Sequence, residues 1–230
     1  MPNREPVLLS WSGGKDSALA LYELRQEARY EVIGLLTTIA ADYGRISHHG
    51  VRERLLERQA EAVGAPLDKL YLPSNSGRPC TNEQYAALLA EKLWTYRRRG
   101  VSLVAHGDIF LEDLRAYREQ NLAQLDMRGL FPLWKLDTTK LVHRFIELGF
   151  RAVLVCVDGQ KLPSHFLGRE IDTALLNDLP PDVDPCGENG EYHSFVFDGP
   201  IFERAVPVQV GETVERESRH FIDLTEANHI

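Results

Sequence analysis

The chain reads as an α/β protein, with a five-stranded parallel, doubly wound sheet over residues 1–135 and a second, smaller mixed α/β domain over 136–230. Three observations carry that expectation. Short apolar runs alternate with amphipathic stretches in a regular beat as far as Trp134, the pattern of parallel strands joined by right-handed helical crossovers. The first run, Val7 to Leu9, feeds at once into a glycine pair and a helical stripe. Beyond Trp134 the beat breaks into an amphipathic stretch, a strongly β-forming run and a hairpin-like end, which places the boundary near Lys135.

Each element has its own signal. The stretch VLLSWSGGKDS is a buried strand and a tight turn, with a helix from about Lys15 whose inward stripe is Ala18, Leu19, Leu21, Tyr22 and Leu24. Tyr30 to Ile39 is the second strand, and Ala40 to His49 is polar and reads as a loop. A second helix spans about Val51 to Val63, closed by Gly64. The third strand is Leu67 to Leu72. A loop through Pro73, Gly77 and Pro79 then reaches Thr81-Asn82, a helix N-cap. The third helix runs to Gly100, the fourth strand is Val101 to Ala105, the fourth helix about Leu111 to Leu125, and the fifth strand Leu130 to Trp134. After the boundary come an amphipathic helix over Thr138 to Leu148, a strand over Arg151 to Val157 and a helix near Thr173 to Leu179. A strand over Ser194 to Phe197 and hairpin structure over about Ile201 to Ile222 complete the chain.

The glycine turn is the first candidate site. A strand feeding glycines at a helix N-terminus gathers free N–H groups and the positive end of the dipole, which suits an anion. Ser10, Ser12, Gly13, Gly14 and Ser17 line that turn, Lys15 adds a cation, and Asp16 offers a carboxylate for Mg²⁺ between phosphates. The spacing is neither a Walker loop nor a G-x-G-x-x-G fingerprint. Ligands of such sheets lie beyond the carboxyl ends of the strands, so Thr37 to Ala40 from strand two, Thr38 among them, and His106, Gly107 and Asp108 after strand four should join the same cleft. Asp108 reads equally as a ligand of the nucleotide's metal or as the cap of a short turn. His49, just ahead of the second helix, reads equally as a solvated or capping residue or as a nucleotide contact.

Composition narrows the class. A net charge of −8 and a pI near 5.5 argue against a broad electrostatic footprint for nucleic acid. No apolar run approaches the roughly 20 residues of a membrane span, and MPNREPV does not read as a signal peptide, so no membrane partner is expected. Cys80, Cys156 and Cys186 form neither a disulfide framework nor a metal spacing, and a cytoplasmic setting follows.

SGGKDS resembles the pyrophosphate (PP) loop of the N-type ATP pyrophosphatases, whose sheet is HUP-like and which cut ATP between the α and β phosphates. A second cluster, GENGEYHSFVFDGPIF, sharpens the likeness. With HGVRERLLERQAEAVGAPL, GDIFLEDLRAYRE and LGFRAVLVCVD it resembles the diphthine–ammonia ligase family, a branch of those enzymes, over nearly the whole chain to about Phe202. The chain departs from several relatives in its compact GDIFLEDLR segment after strand four.

The resemblance implies an ATP- and Mg²⁺-dependent ligase that adenylates a carboxylate and amidates it with ammonium, releasing AMP and pyrophosphate. In archaeal and eukaryotic members the acceptor is diphthine on elongation factor two. Lys15, Asp16, Glu188 and Glu191 are then the catalytic candidates. Ser10 through Ser17 apart from Trp11, with Thr38, His49, Gly107 and Asp108, would hold the nucleotide, and Asp16 the metal. Glu188, Asn189, Glu191 and His193 would meet the acceptor or ammonium; the sequence leaves the oligomeric state open, a homodimer included. Two other classes remain open on the residues: a PP-loop enzyme for a different small-molecule or RNA substrate, such as tRNA, and a non-catalytic adenine-nucleotide sensor.

Overall fold

A computed structural model describes residues 4–46, 49–73, 80–216 and 218–227. The first sheet contains the five expected parallel strands: β1 (Glu5–Ser10), β2 (Tyr30–Ala40), β4 (Leu67–Leu72), β5 (Leu103–Ala105) and β6 (Arg128–Leu130). β1 sits between β2 and β5, β4 pairs with β2, and β6 pairs with β5, all parallel. Their order is that of a doubly wound sheet reversing at β1, and the switch point is where ligands of such sheets collect.

The period of two along the strands divides the interior. Val7, Leu9 and Trp11, with Leu103 and Ala105, face the larger core. Leu8, Leu36 and Val104 face a smaller one under α3 (Asn82–Arg97) and α4 (Glu112–Ala123). The larger core takes in α1 (Lys15–Gln26) and α2 (Glu53–Ala62). It runs on without a break into α5 (Thr138–Glu147), β7 (Arg151–Asp158) and β8 (Tyr192–Asp198). β8, β7, β10 (Arg219–Glu226) and β9 (Val208–Arg216) form a four-stranded antiparallel sheet in that order. With α5 and α6 (Thr173–Asp178) it makes the mixed α/β half.

Local chemistry accounts for the helix ends. Thr81 caps α3 with a full capping box, its hydroxyl accepting from the Gln84 N–H while the Gln84 side chain accepts from the Thr81 N–H. Gly64 and Gly100, both at positive φ, close α2 and α3.

Three expectations need correction. The polar stretch after β2 is not all loop: Arg45–Ile46 forms β3, antiparallel to Ile39–Ala40 of β2 beyond the last residue paired with β1. The fifth strand lies earlier than expected, at Arg128–Leu130, and Phe131 to Trp134 turn away with Trp134 N–H donating to the Phe131 carbonyl. Pro132 has no N–H for a ladder, and the apolar run that resembled a strand is a turn packed on its own aromatic rings. The terminal hairpin also begins later, at Val208, so Ile201 is not in a strand. In the loop ahead of α3, Gly77 and Pro79 lie outside the described residues, as does His48.

Candidate functional site

The glycine loop follows β1 at the switch point. Trp11 N–H still donates to the Leu36 carbonyl, then Gly13 takes φ +77° and α1 starts at Lys15. The hydroxyls fold inward on the turn. Ser17 Oγ donates to the Gly14 carbonyl (2.9 Å), Ser12 and Ser17 Oγ lie 3.2 Å apart, and the Gly14 N–H donates to Ser12 Oγ at 3.2 Å. No side chain within the loop caps α1; the Lys15 N–H donates to Ser194 Oγ of β8.

Lys15 and Asp16 form one charged unit. The Lys15 ammonium, 3% exposed, donates to both Asp16 oxygens at 2.7 and 2.8 Å and stands 5.5 Å from the Tyr192 ring centre. Burial works against the Lys15 charge, but the Asp16 carboxylate, together with Cys186 and Tyr192, outweighs it and raises the pKa above the ordinary lysine value. Burial pushes the Asp16 carboxyl up against the pull of Lys15, and Asp184 and Asp108 add to the push.

Gly107 meets this unit from the next strand end. A Cβ there would lie 2.8 Å from the Asp16 carbonyl carbon and 3.0 Å from the Ser17 nitrogen, so glycine is required for packing against α1 itself. Among the described residues the contacts of Asp108 are with a side chain of α4. Its carboxylate is held by Arg118 of α4, with Nε to Oδ2 at 2.7 Å and Nη2 donating to Oδ1 at 3.1 Å. His49 Nδ1 lies 3.2 Å from the Ser194 carbonyl, its ring is 4.6 Å from that of His193, and its Cε1 would lie 3.0 Å from a Cβ at Gly14. Thr38 is half-buried on β2, two residues beyond the last pairing with β1.

The second cluster arrives from the other half as a self-bonded turn. Asp184 organises it, its Oδ1 accepting from the Cys186 and Glu188 N–H groups. Glu191, 3% exposed, is turned inward and takes the Asp184 N–H and the Asn189 amide on Oε1. Glu188 instead reaches across to the first half, its Oε1 accepting from the Ile109 N–H (2.7 Å) and the Phe110 N–H (3.3 Å). Burial pushes the Glu188 carboxyl up to about 7, opposed by those two N–H groups and Lys15 and aided by Asp16. The structure therefore brings Lys15, Asp16, Gly107 and Glu188 around one seam, with His49 and His193 along its side. Glu191 and Asn189 are engaged with each other inside the turn.

On the α3–α4 face of the sheet a narrow cleft opens beside Ser10, lined by Leu36, Tyr85, His106, Tyr117 and Asn121 among others. His106 is 6% exposed, its two ring nitrogens and the Tyr117 hydroxyl have no hydrogen-bond partner among the described residues, and the ring lies 5.5 Å from Phe131. Burial and then Arg118 hold the imidazole well below its usual pKa, so it offers one donor and one acceptor as a neutral ring. Reactive thiolate chemistry has little support here: burial pushes Cys186 up to about 12 and raises Cys156.

Four residues of the site were not anticipated from the sequence: Ser194, Asp184, Arg118 and Gln59 of α2, whose amide donates to the Gly13 carbonyl at 2.9 Å. Gln59 alone had a signal, a polar side chain three and four positions beyond Leu56 and Leu55 on an otherwise apolar stripe.

Comparison with known proteins gives a consistent answer. The family described as "Diphthamide synthase N-terminal domain" matches residues 6–128, and "Diphthamide synthase C-terminal domain" matches 137–230. A protein of Danio rerio named diphthine–ammonia ligase is 28% identical over 227 residues, covering 88% of this chain and 86% of that one. The human protein of the same name is 25% identical, covering 88% and 82%. That of Schizosaccharomyces pombe is 26% identical over 90% of this chain but only 36% of its own greater length. A weaker likeness of shape, TM-score 0.40 at 13% identity over 64% of this chain and 58% of the other, is to a tRNA thiolase of Methanococcus maripaludis.

Proposed function

The chain belongs to the diphthamide synthase family, and on that premise we propose that it is an ATP-dependent amide-forming ligase that takes the carboxylate of diphthine on elongation factor two as acceptor and ammonium as nitrogen donor. The observation that carries this reading is the seam itself. A phosphate cradle from one half, Ser12 to Ser17, faces a carboxyl from the other half, Glu188, poised near neutrality.

The chemistry follows from what each part can hold. The acceptor carboxylate oxygen attacks the α-phosphorus of ATP, the bond to the β-phosphate oxygen breaks, and pyrophosphate departs with its charge. Loop N–H groups and the Lys15 ammonium stabilise that charge as it grows. Asp16, close enough to Asp108 and Asp184 for their charges to raise its pKa, has the hard oxygen chemistry of a Mg²⁺ ligand shared with phosphates. Among the described residues no group of three or more His, Cys, Asp or Glu side chains could hold a metal, so the ion would depend on phosphate oxygens for much of its coordination. Ammonia then attacks the acyl carbon, AMP leaves with the former carboxylate oxygen, and the nitrogen sheds a proton. On this reading Glu188, whose carboxyl burial pushes up to about 7, receives that proton. The base of the nucleotide takes the cleft beside Ser10, where His106 and Tyr117 offer neutral hydrogen-bonding groups. Glu191 and Asn189 shape the turn that presents Glu188, and His49 and His193 flank the loop.

The halves on either side of Lys135 act as nucleotide-holding and acceptor-presenting parts, a division supported by the change from parallel to antiparallel sheet. Among the described residues no helix is long and apolar enough to cross a membrane. With three free cysteines, the protein acts in the reducing cytoplasm. The test is the fate of α-labelled ATP with ammonium and diphthine-bearing elongation factor. Label in AMP together with amidated acceptor is expected; label in ADP, or AMP formed without amidation, would overturn the assignment.

A further inference from the structure

We propose that Gln59 is a positioning residue that sets the phosphate-binding conformation of the glycine loop, an inference that rests on reading Ser12 to Ser17 as a phosphate cradle. Gln59 is fully buried on α2, and its amide is committed on every side. Oε1 accepts from the Trp11 indole N–H at 2.8 Å, while Nε2 donates to the Gly13 carbonyl at 2.9 Å and to the Val196 carbonyl at 2.6 Å. An indole N–H only donates and a carbonyl only accepts, so the opposite amide orientation would lose all three bonds.

The consequence lies in the Gly13–Gly14 peptide. A loop that binds an anion must turn carbonyls away from it and N–H groups toward it. The Gly13 carbonyl is drawn inward by two donors, the Gln59 amide and the Val196 N–H, each at 2.9 Å. In a trans peptide the C=O and the following N–H point in opposite directions, so this pull aims the Gly14 N–H outward, to the side of Ser12 Oγ. Gly13 and Gln59 are matched to one another: a Cβ on Gly13, already at φ +77°, would fall 2.7 Å from Gln59 Oε1. The same amide ties the loop to β8 through Val196, two residues from the Ser194 hydroxyl that takes the Lys15 N–H.

The assignment predicts selective damage. Gln59→Met keeps length and shape but removes all three bonds. Binding of pyrophosphate and of AMP is measured by calorimetry on the wild type, on Gln59→Met and on Trp11→Phe, which removes the donor that orients the amide together with part of a buried ring. Pyrophosphate affinity is expected to fall about tenfold in Gln59→Met and about threefold in Trp11→Phe, with AMP affinity changed less than about twofold. Equal weakening of both ligands would mean a merely structural role and would overturn the proposal, as would unchanged pyrophosphate binding. Should Gln59→Met fail to fold, Trp11→Phe decides alone by the same criterion. A wild type that does not bind pyrophosphate would instead overturn the reading of the loop as a phosphate cradle, an outcome distinct from the other two.

Discussion

Ser194 Oγ of β8 accepts the main-chain N–H of Lys15 at 3.1 Å, so the first turn of α1 is capped by a residue 179 positions away in the other sheet. An N-terminal helix cap contributes about 1 kcal/mol. Ser194→Ala should therefore lower the melting temperature by roughly 2–4 °C for a chain of this size. Ser194→Thr, which keeps the oxygen, should recover most of that loss. Differential scanning calorimetry decides, and equal melting of Ser194→Ala and wild type would show the cap to be idle.

Gly107 should tolerate no side chain. The atoms a Cβ would strike belong to the backbone of Asp16 and Ser17, which cannot rotate aside. Gly107→Ala is expected to cost about 2 kcal/mol of stability by overpacking. It should also displace the start of α1 and weaken ATP binding. Urea denaturation and nucleotide titration of the same sample would report both.

Lys15→Met should leave a folded protein that forms AMP about 10²–10³ times more slowly, the scale of losing one preorganised charge contact in a transition state. Asp16 then lacks its partner, so the loss should not be recovered by raising ATP concentration. Near-normal turnover at saturating ATP would remove Lys15 from the chemical step.

Glu188 gives a dependence on pH. Its folded pKa, pushed up to about 7, lies above its ordinary value of 4.5, so the fold favours the protonated carboxyl. That contribution to stability is complete below the ordinary value and is lost as pH rises through about 7. Activity should move the other way, because only the ionised form takes a proton. At constant free ammonia, amidation should rise with an apparent pKa near 7, and Glu188→Gln should be slow with that limb flattened. An unaltered rising limb in Glu188→Gln would assign the titration to another group.

The legible part of the protein was the part built from local pattern. The parallel strands, the helix beginning at Lys15 and the N-cap at Thr81 follow from apolar period, glycine placement and cap chemistry within a few residues of each element. Phe131 to Trp134 misled because an apolar run does not tell a strand from a turn whose rings pack on one another; Pro132 was the clue. In the site, the residues that carry charge or flexibility in a motif stood out. Ser194 and Gln59 did not, because their partners lie in other elements and only the tertiary arrangement of α2, β8 and the glycine loop makes their side chains necessary. Glu191 drew attention as a carboxylate in a polar cluster, yet its partners are the turn's own N–H and amide groups.

The carbonyl of Gly13 accepts the N–H of Val196 at 2.9 Å, a backbone bond between the glycine loop and the second sheet. Anyone hoping to transplant the N-terminal portion as a ready-made nucleotide module would sever it, together with the seryl cap two residues before Val196. The excised piece would keep its motif letters and lose the stitching that shapes them. A working graft has to carry the distant strand along.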